Sequence, residues 1–174
     1  MNRVMCLFLC LAFVLLASES FVPATDAAAI VPSAAPPPSS ATTDIEEEVY
    51  QTINRFRAEN HLAPLAVTKD LSQVARSHSQ DMAARDYFDH VSPDGDNVRK
   101  RVTRGGITNW DRLAENIAMN YGHMDPAWVA VRGWMESPPH RQNILDKDLT
   151  ETGIGVAVDA KGRVYVTQLF VRRK

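Results

Sequence analysis

The stretch Trp134-Met-Glu-Ser-Pro-Pro-His-Arg-Gln-Asn-Ile-Leu145 constrains the fold more than any other part of the chain. Pro138 and Pro139 carry no backbone N–H and have φ fixed at about −65°, so a helix that includes Trp134 must end near Ser137. His140 is then held at a helix terminus by a stiff chain, followed by a turn rich in Arg and Asn. Two other segments share this character: Tyr87-Phe-Asp-His90 upstream, and Ala114-Glu-Asn-Ile117 between them. They put His90, Glu115 and His140 in three separate loops or element ends, a constellation that suggests a site.

The N-terminus reads as a targeting segment. Arg3 supplies a positive start, Val4 to Ala17 is apolar, and Ser18-Glu19-Ser20 offers small residues for cleavage after Ser20. A second candidate cut lies near Ala27. The 14-residue apolar run is shorter than the roughly 20 residues that span a bilayer. The expectation is a signal peptide over 1–20 and a secreted, extracytoplasmic product with no transmembrane anchor after cleavage. Cys6 and Cys10 both fall in that segment, so the exported chain would be disulfide-free and its core must hold without staples. Residues 21–43, rich in Pro, Ala, Ser and Thr, cannot bury enough surface to offset their ordering entropy and read as a disordered linker. Residues 44–174 remain as one monomeric domain. A net charge of −2 without a basic stripe argues against a nucleic-acid partner.

Within that domain, Thr43 with Glu46 fits a capping box for a helix carrying Ile45, Val49, Ile53 and Phe56, ending near Asn60-His61. Glu46-Glu-Glu48 then serves the positive end of the helix and solubility. A second helix from Thr68 or Asp70 puts Leu71, Val74, Ala75, His78 and Met82 on one face, which makes His78 a core histidine. Ser92-Pro-Asp-Gly95 is a turn, and a short helix from Asn97 to Arg104 is stopped by Gly105-Gly106. Leu113 to Met119 reads as a strand, and Asp125-Pro126 starts a helix. Gly153 to Asp159 and Arg163 to Phe170 form a hairpin. Helices precede paired strands without βαβ alternation, which predicts an α+β fold: a central, mostly antiparallel sheet flanked by helices.

Glu115 carries the sharpest chemical expectation. Period-2 alternation puts it on the same face as Leu113 and Ile117, where a carboxylate is costly to bury without a partner such as His90 or His140. The alternative is a surface strand whose Glu meets solvent or Arg112. Two histidines and a carboxylate could hold Zn or another divalent cation, or act without metal as base, acid and orienting group. Compact metal spacings are absent, as are a Gly-x-Ser-x-Gly elbow and a cysteine nucleophile outside the first 20 residues.

The motifs His78-Ser-x-x-Met82, Phe88-Asp-His90, Ala114-Glu-Asn-Ile117, Trp134-x-x-Ser-Pro-x-His-Arg-x-Asn-Ile-Leu145, Gly153-Ile-Gly-Val156 and Gln168-Leu-Phe170 occur here in one order. Together they resemble the CAP superfamily, the SCP-like extracellular domains of cysteine-rich secretory, antigen 5 and pathogenesis-related proteins, in its bacterial-type branch. The resemblance runs from about Ile45 to Phe170. It implies a CAP-type α-β-α sandwich whose cleft carries two His and two Glu, the two His able to bind a divalent metal. His90, Glu115 and His140 match three of those positions. At the fourth this chain has Ser137; Glu136 lies one residue earlier, about 100° around the helix, and is carried as a further cleft candidate.

Activities implied by the resemblance include proteolysis, lipid or sterol binding, signalling and action at the cell wall. Three functions are therefore weighed. In the first, the cleft binds a small ligand, lipid or cell-envelope component, with a cation optionally bridging His90 and His140. In the second, a cation or His/Glu pair activates water as a hydrolase of peptide or cell-wall bonds, with His90, Glu115 and His140 as its catalytic residues. In the third, the domain is an interaction protein and the cleft residues only stabilise it.

Overall fold

The computed structural model describes residues 39–174. The expected signal peptide, both cysteines and the expected linker up to residue 38 lie outside the described residues. The elements run α1 (Ser40–Glu59), β1 (Ala66–Val67), α2 (Lys69–Arg85), α3 (Val98–Arg104), β2 (Trp110–Tyr121), α4 (Pro126–Glu136), α5 (Pro138–Ile144), β3 (Glu151–Val158) and β4 (Arg163–Arg173). None of these helices is long and apolar enough to cross a membrane.

α1 begins earlier than the Thr43 capping box implies. Ser39 is the cap: its hydroxyl accepts from Thr42 N at 3.4 Å, while the Thr42 and Thr43 hydroxyls donate to the Ser39 carbonyl at 2.9 and 3.1 Å. Both threonines are thus satisfied inside the first turn. Glu46 is also released from any capping role. It is buried, takes Arg76 through contacts of 2.8, 3.1 and 2.6 Å, and accepts from Val156 N at 3.1 Å.

The four strands lie in the order β1-β3-β4-β2, with β1 parallel to β3 and the other pairings antiparallel. Alternation along the strands divides the core into two layers. Ile154, Val156, Val166 and Phe170 pack with Val49 and Ile53 of α1 and with Val131 and Trp134 of α4. Leu169 and Val171 face the other way, against Leu71, Val74 and Ala75 of α2 and Val102 of α3. This is the expected α-β-α sandwich.

Gly153 and Gly155 set how closely α2 meets the sheet. A Cβ at Gly155 would lie 2.0 Å from Arg76 N, and one at Gly153 would lie 2.2 Å from the Leu71 carbonyl carbon. Helix backbone fills the space that side chains would need, so the glycines permit backbone-to-backbone packing.

The Pro-Pro segment behaves differently from the expected turn. α4 does end at Ser137, but Pro138 and Pro139 then open α5, where their missing N–H groups coincide with donors that a first helical turn leaves free. His140 therefore sits in the first turn of a second helix. The far end of α5 is fixed by Arg57 of α1, which is 1% exposed. Its guanidinium donates to the carbonyls of Ala63, Ile144, Asp146 and Leu149 at 2.9, 2.8, 2.9 and 3.3 Å. One buried cation so ties α5 and the chain after it to the body of the domain.

Candidate functional site

β2 is an edge strand, and its middle carries the site. Leu113 and Ile117 join the apolar clusters on the α2 side, so Glu115 between them points into that layer, as alternation requires. Its side chain is 2% exposed. The cost of burying it is met by two donors: Arg101 Nη2 at 2.6 Å to Oε2 and His90 Nδ1 at 2.8 Å to Oε1.

Arg101 was not among the residues singled out by the sequence, and it organises the cleft. Besides gripping Glu115, its Nη1 donates to the carbonyls of His90 at 3.0 Å and Asp96 at 2.7 Å. The loop carrying His90 is thereby held to the strand carrying Glu115. A faint signal existed in the sequence. Val98 and Val102 form the apolar stripe of α3, and Arg101 shares that face by its three-residue spacing from Val98.

His140 approaches from the opposite layer. Its Nδ1 lies 2.9 Å from Ser137 Oγ, and its backbone carbonyl accepts from Asn116 Nδ2 at 3.1 Å. Asn143 Nδ2 in turn donates to Asn116 Oδ1 at 2.9 Å. This asparagine pair locks α5 to β2 from within the sandwich, and neither member was identified from sequence. Glu136 does not reach the cleft. It is exposed and accepts from Arg132 Nε at 2.8 Å along the same helix. Ser137, in the extended link between α4 and α5, is the residue that meets His140.

The two cleft histidines are driven in opposite directions. The hydrogen bond to Glu115 raises the pKa of His90 above the ordinary imidazole value, against a smaller opposing effect of burial. Burial, and then the nearby charge of His90, lowers that of His140. Their tautomers also differ in how firmly they are set. The Glu115 carboxylate can only accept, so neutral His90 must carry its proton on Nδ1 and present a lone pair at Nε2. The Ser137 hydroxyl can donate or accept, so His140 is free to hold either tautomer.

His78 lies deeper, 1% exposed, as its apolar helix face implies. Burial first, and the charge of Arg101 second, push its pKa down to about 4. Neither ring nitrogen has a partner with ordinary hydrogen-bond geometry, although the Asp89 carbonyl is close enough to act on its titration.

For a cation, the donor set is two imidazoles. Among the described residues no cluster of three or more His, Cys, Asp or Glu is placed to hold a metal. The Nδ1 atoms of His90 and His140 are committed to protein partners, which leaves Nε2 of each. A carboxylate behind one imidazole is a common support for a metal-ligating histidine, so the residues present fit an ion that keeps positions open for water or ligand.

Comparison with known proteins agrees with this architecture. The family model described as "CAP: Cysteine-rich secretory protein family" matches residues 50–170. The chain is 36% identical over 131 residues to the uncharacterized membrane protein YlbC of Bacillus subtilis, an alignment covering 75% of this chain and 35% of that one. It spans less than half the length of the curated relatives it matches. The crystal structure of an extracellular protein containing a SCP domain from Bacillus anthracis superposes with a TM-score of 0.65 at 30% identity, covering 80% of this chain and 45% of that chain. An outer surface protein of Borrelia burgdorferi shares the fold at a TM-score of 0.69 and 19% identity, over 76% and 96% of the two chains. On the family match and the bacterial relatives, this chain belongs to the CAP, or cysteine-rich secretory protein, family, as a bacterial-type member.

Proposed function

We propose that the domain is a secreted binding module whose cleft takes a small ligand or cell-envelope component, with a divalent cation held between Nε2 of His90 and Nε2 of His140. The observation that carries this reading is the matched commitment of both Nδ1 atoms, to Glu115 and to Ser137. Imidazoles so arranged have their remaining nitrogens free for a ligand. A bound cation would supply Lewis acidity toward an oxygen of the occupant. Glu115 orients His90, Arg101 anchors Glu115, and the Asn116–Asn143 pair keeps α5 against the strand.

Calorimetric titration of zinc into the purified protein tests this, beside a His90→Ala/His140→Ala double variant whose folding is checked by circular dichroism. Saturable binding at one site, lost in the folded double variant, is expected. Absence of binding to the wild type would rule out the zinc form of the proposal.

A second reading rests on the opposed titration of the two histidines. Titratable neighbours driven apart in pKa suit acid and base roles in hydrolysis, His90 as the acid and His140 as the base toward water. Turnover of peptides or cell-wall polymers, abolished by Glu115→Gln, would favour the hydrolase over the binding module.

A further inference from the structure

Main-chain hydrogen bonding along the sheet alternates, and the alternation leaves gaps on the outer edge of β2. Ala66 N and Thr68 N donate to the carbonyls of Thr150 and Thr152, each at 2.9 Å, so even-numbered residues of β3 face β1 and odd-numbered ones face β4. Carrying the registers across, the even-numbered residues of β2 bond β4, and the main-chain groups of Leu113, Glu115, Ile117 and Met119 point outward from the sheet. The protein covers two of these itself. Trp134 Nε1 donates to Ile117 O at 2.9 Å, and Asn143 Nδ2 lies 3.5 Å from Glu115 O. Leu113 and Met119 have no such cover from a side chain or loop among the described residues, and of the two Leu113 borders a groove.

A groove of about 520 Å³ lies at that gap. Its floor is the continuous stretch Trp110 to Ala114, and its walls come from both layers: Val98 and Arg99 of α3 on one side, Asn143, Asp146 and Leu149 on the other. Walls on both faces of one strand mean that the groove runs along the strand's edge. It leads toward the cleft, because Asn143 borders the groove and also touches Glu115. At its outer end Arg99 lies over the Trp110 ring, 4.6 Å from its centroid, and has no carboxylate partner among the described residues. Arg112, by contrast, is paired with Asp146 and Asp148 at 2.7 and 3.1 Å.

We infer that this groove receives an extended peptide, which adds as a strand to β2 at Leu113, carries an acidic side chain opposite Arg99, and runs on into the His90–Glu115–His140 cleft. A main chain is the chemistry that satisfies an outward N–H and C=O pair on an edge strand. A free guanidinium held on an aromatic face supplies the preference for a carboxylate. The inference rests on the reading of the cleft as a ligand site and names the class of ligand.

The test uses a library of seven-residue peptides of β-branched residues, each with one Asp or Glu, titrated into ¹⁵N-labelled protein. The best binder is compared with the same peptide N-methylated at alternate residues. Binding that shifts the Leu113 and Glu115 amides, and weakens at least tenfold on N-methylation and in Arg99→Glu, is the expected result. No binding from the library, or equal binding of the methylated peptide, overturns strand addition. Unchanged affinity in Arg99→Glu overturns the acidic preference. Zinc titration of the same sample keeps the two proposals apart: retained zinc binding without peptide binding refutes only this one.

Discussion

Glu115→Gln separates the electrostatic role of the cleft carboxylate from its shape. In the wild type both carboxylate oxygens accept, Oε2 from Arg101 and Oε1 from His90. An amide of the same size offers one acceptor and one donor, so one of the two partners meets an NH₂ group. Arg101 cannot lose its proton, and at 9% exposure it keeps the remaining acceptor. His90 must then turn its Nδ1 into an acceptor, which moves its proton to Nε2 and removes the lone pair that would bind a cation. Two consequences follow from this single exchange. Breaking a buried ion pair by neutralising one partner costs about 3–5 kcal/mol, a large share of a typical stability of about 5–15 kcal/mol. Removing the orienting carboxylate behind a ligating histidine costs about 10- to 100-fold in metal affinity.

Urea unfolding at pH 8 gives the first quantity, and ring-nitrogen NMR of His90 gives the tautomer directly. Adding Arg101→Met to Glu115→Gln should recover most of the lost stability, because the uncompensated cation is gone, and should free the amide to turn its oxygen to His90 and return the proton to Nδ1. A Glu115→Gln variant that loses less than about 1 kcal/mol, or that keeps the proton on Nδ1, would refute the reasoning.

Other expectations follow from the same geometry. His78 titrates at about 4 when folded, against an ordinary 6.5, so the unfolded chain binds the extra proton between those values and stability falls as pH drops through that window. The loss is about 2 kcal/mol at pH 5, and pH-dependent urea unfolding should show that slope flattened in His78→Leu relative to wild type. Zinc affinity should fall about tenfold per pH unit once pH drops below the raised pKa of His90, because the proton on Nε2 competes with the metal; calorimetry at pH 8, 7 and 6 reads it. Gly155→Ala forces a methyl group into the backbone of α2 and should cost roughly 3 kcal/mol in thermal unfolding, with no change in the cleft histidines' NMR titration.

The parts of this fold that could be read from sequence are those whose cause is local. The face of α2, the Asp125-Pro126 start of α4 and the β3–β4 hairpin each depend on residues within a few positions of one another. α5 was missed for a physical reason. Proline's lack of a donor ends one helix and suits the start of the next equally well, and nothing in the local sequence decides between turn and helix. The decision comes from Arg57, whose bond to the Ile144 carbonyl spans 87 positions. Arg101 was missed because a buried cation is recognised by its partner, Glu115, on another element 14 positions away. His90, Glu115 and His140 could be named from motifs, and Ser137 is local to His140, but the Asn116–Asn143 pair acts through contacts between α5 and β2.

The two buried carboxylates show why Glu115, rather than any buried acid, marks a site. Glu46 and Glu115 sit at opposite edges of the sheet, 6% and 8% exposed, each gripped by an arginine from the α2–α3 layer. Glu46 accepts from a strand N–H, that of Val156, whereas the Glu115 carboxylate meets side chains alone. Their remaining partners differ. Glu46 completes its set with Arg76 and the fixed Val156 N–H, groups that do not titrate near neutral pH. Glu115 completes its set with His90, whose side chain is 49% exposed and whose pKa it raises. A carboxylate saturated by permanent donors can only hold the fold together. One that leans on a half-exposed imidazole transmits its charge to a nitrogen that solvent, a proton or a cation can reach. That asymmetry distinguishes a structural pair from a site, and it predicts that Glu46→Gln lowers stability while leaving the His90 titration unmoved.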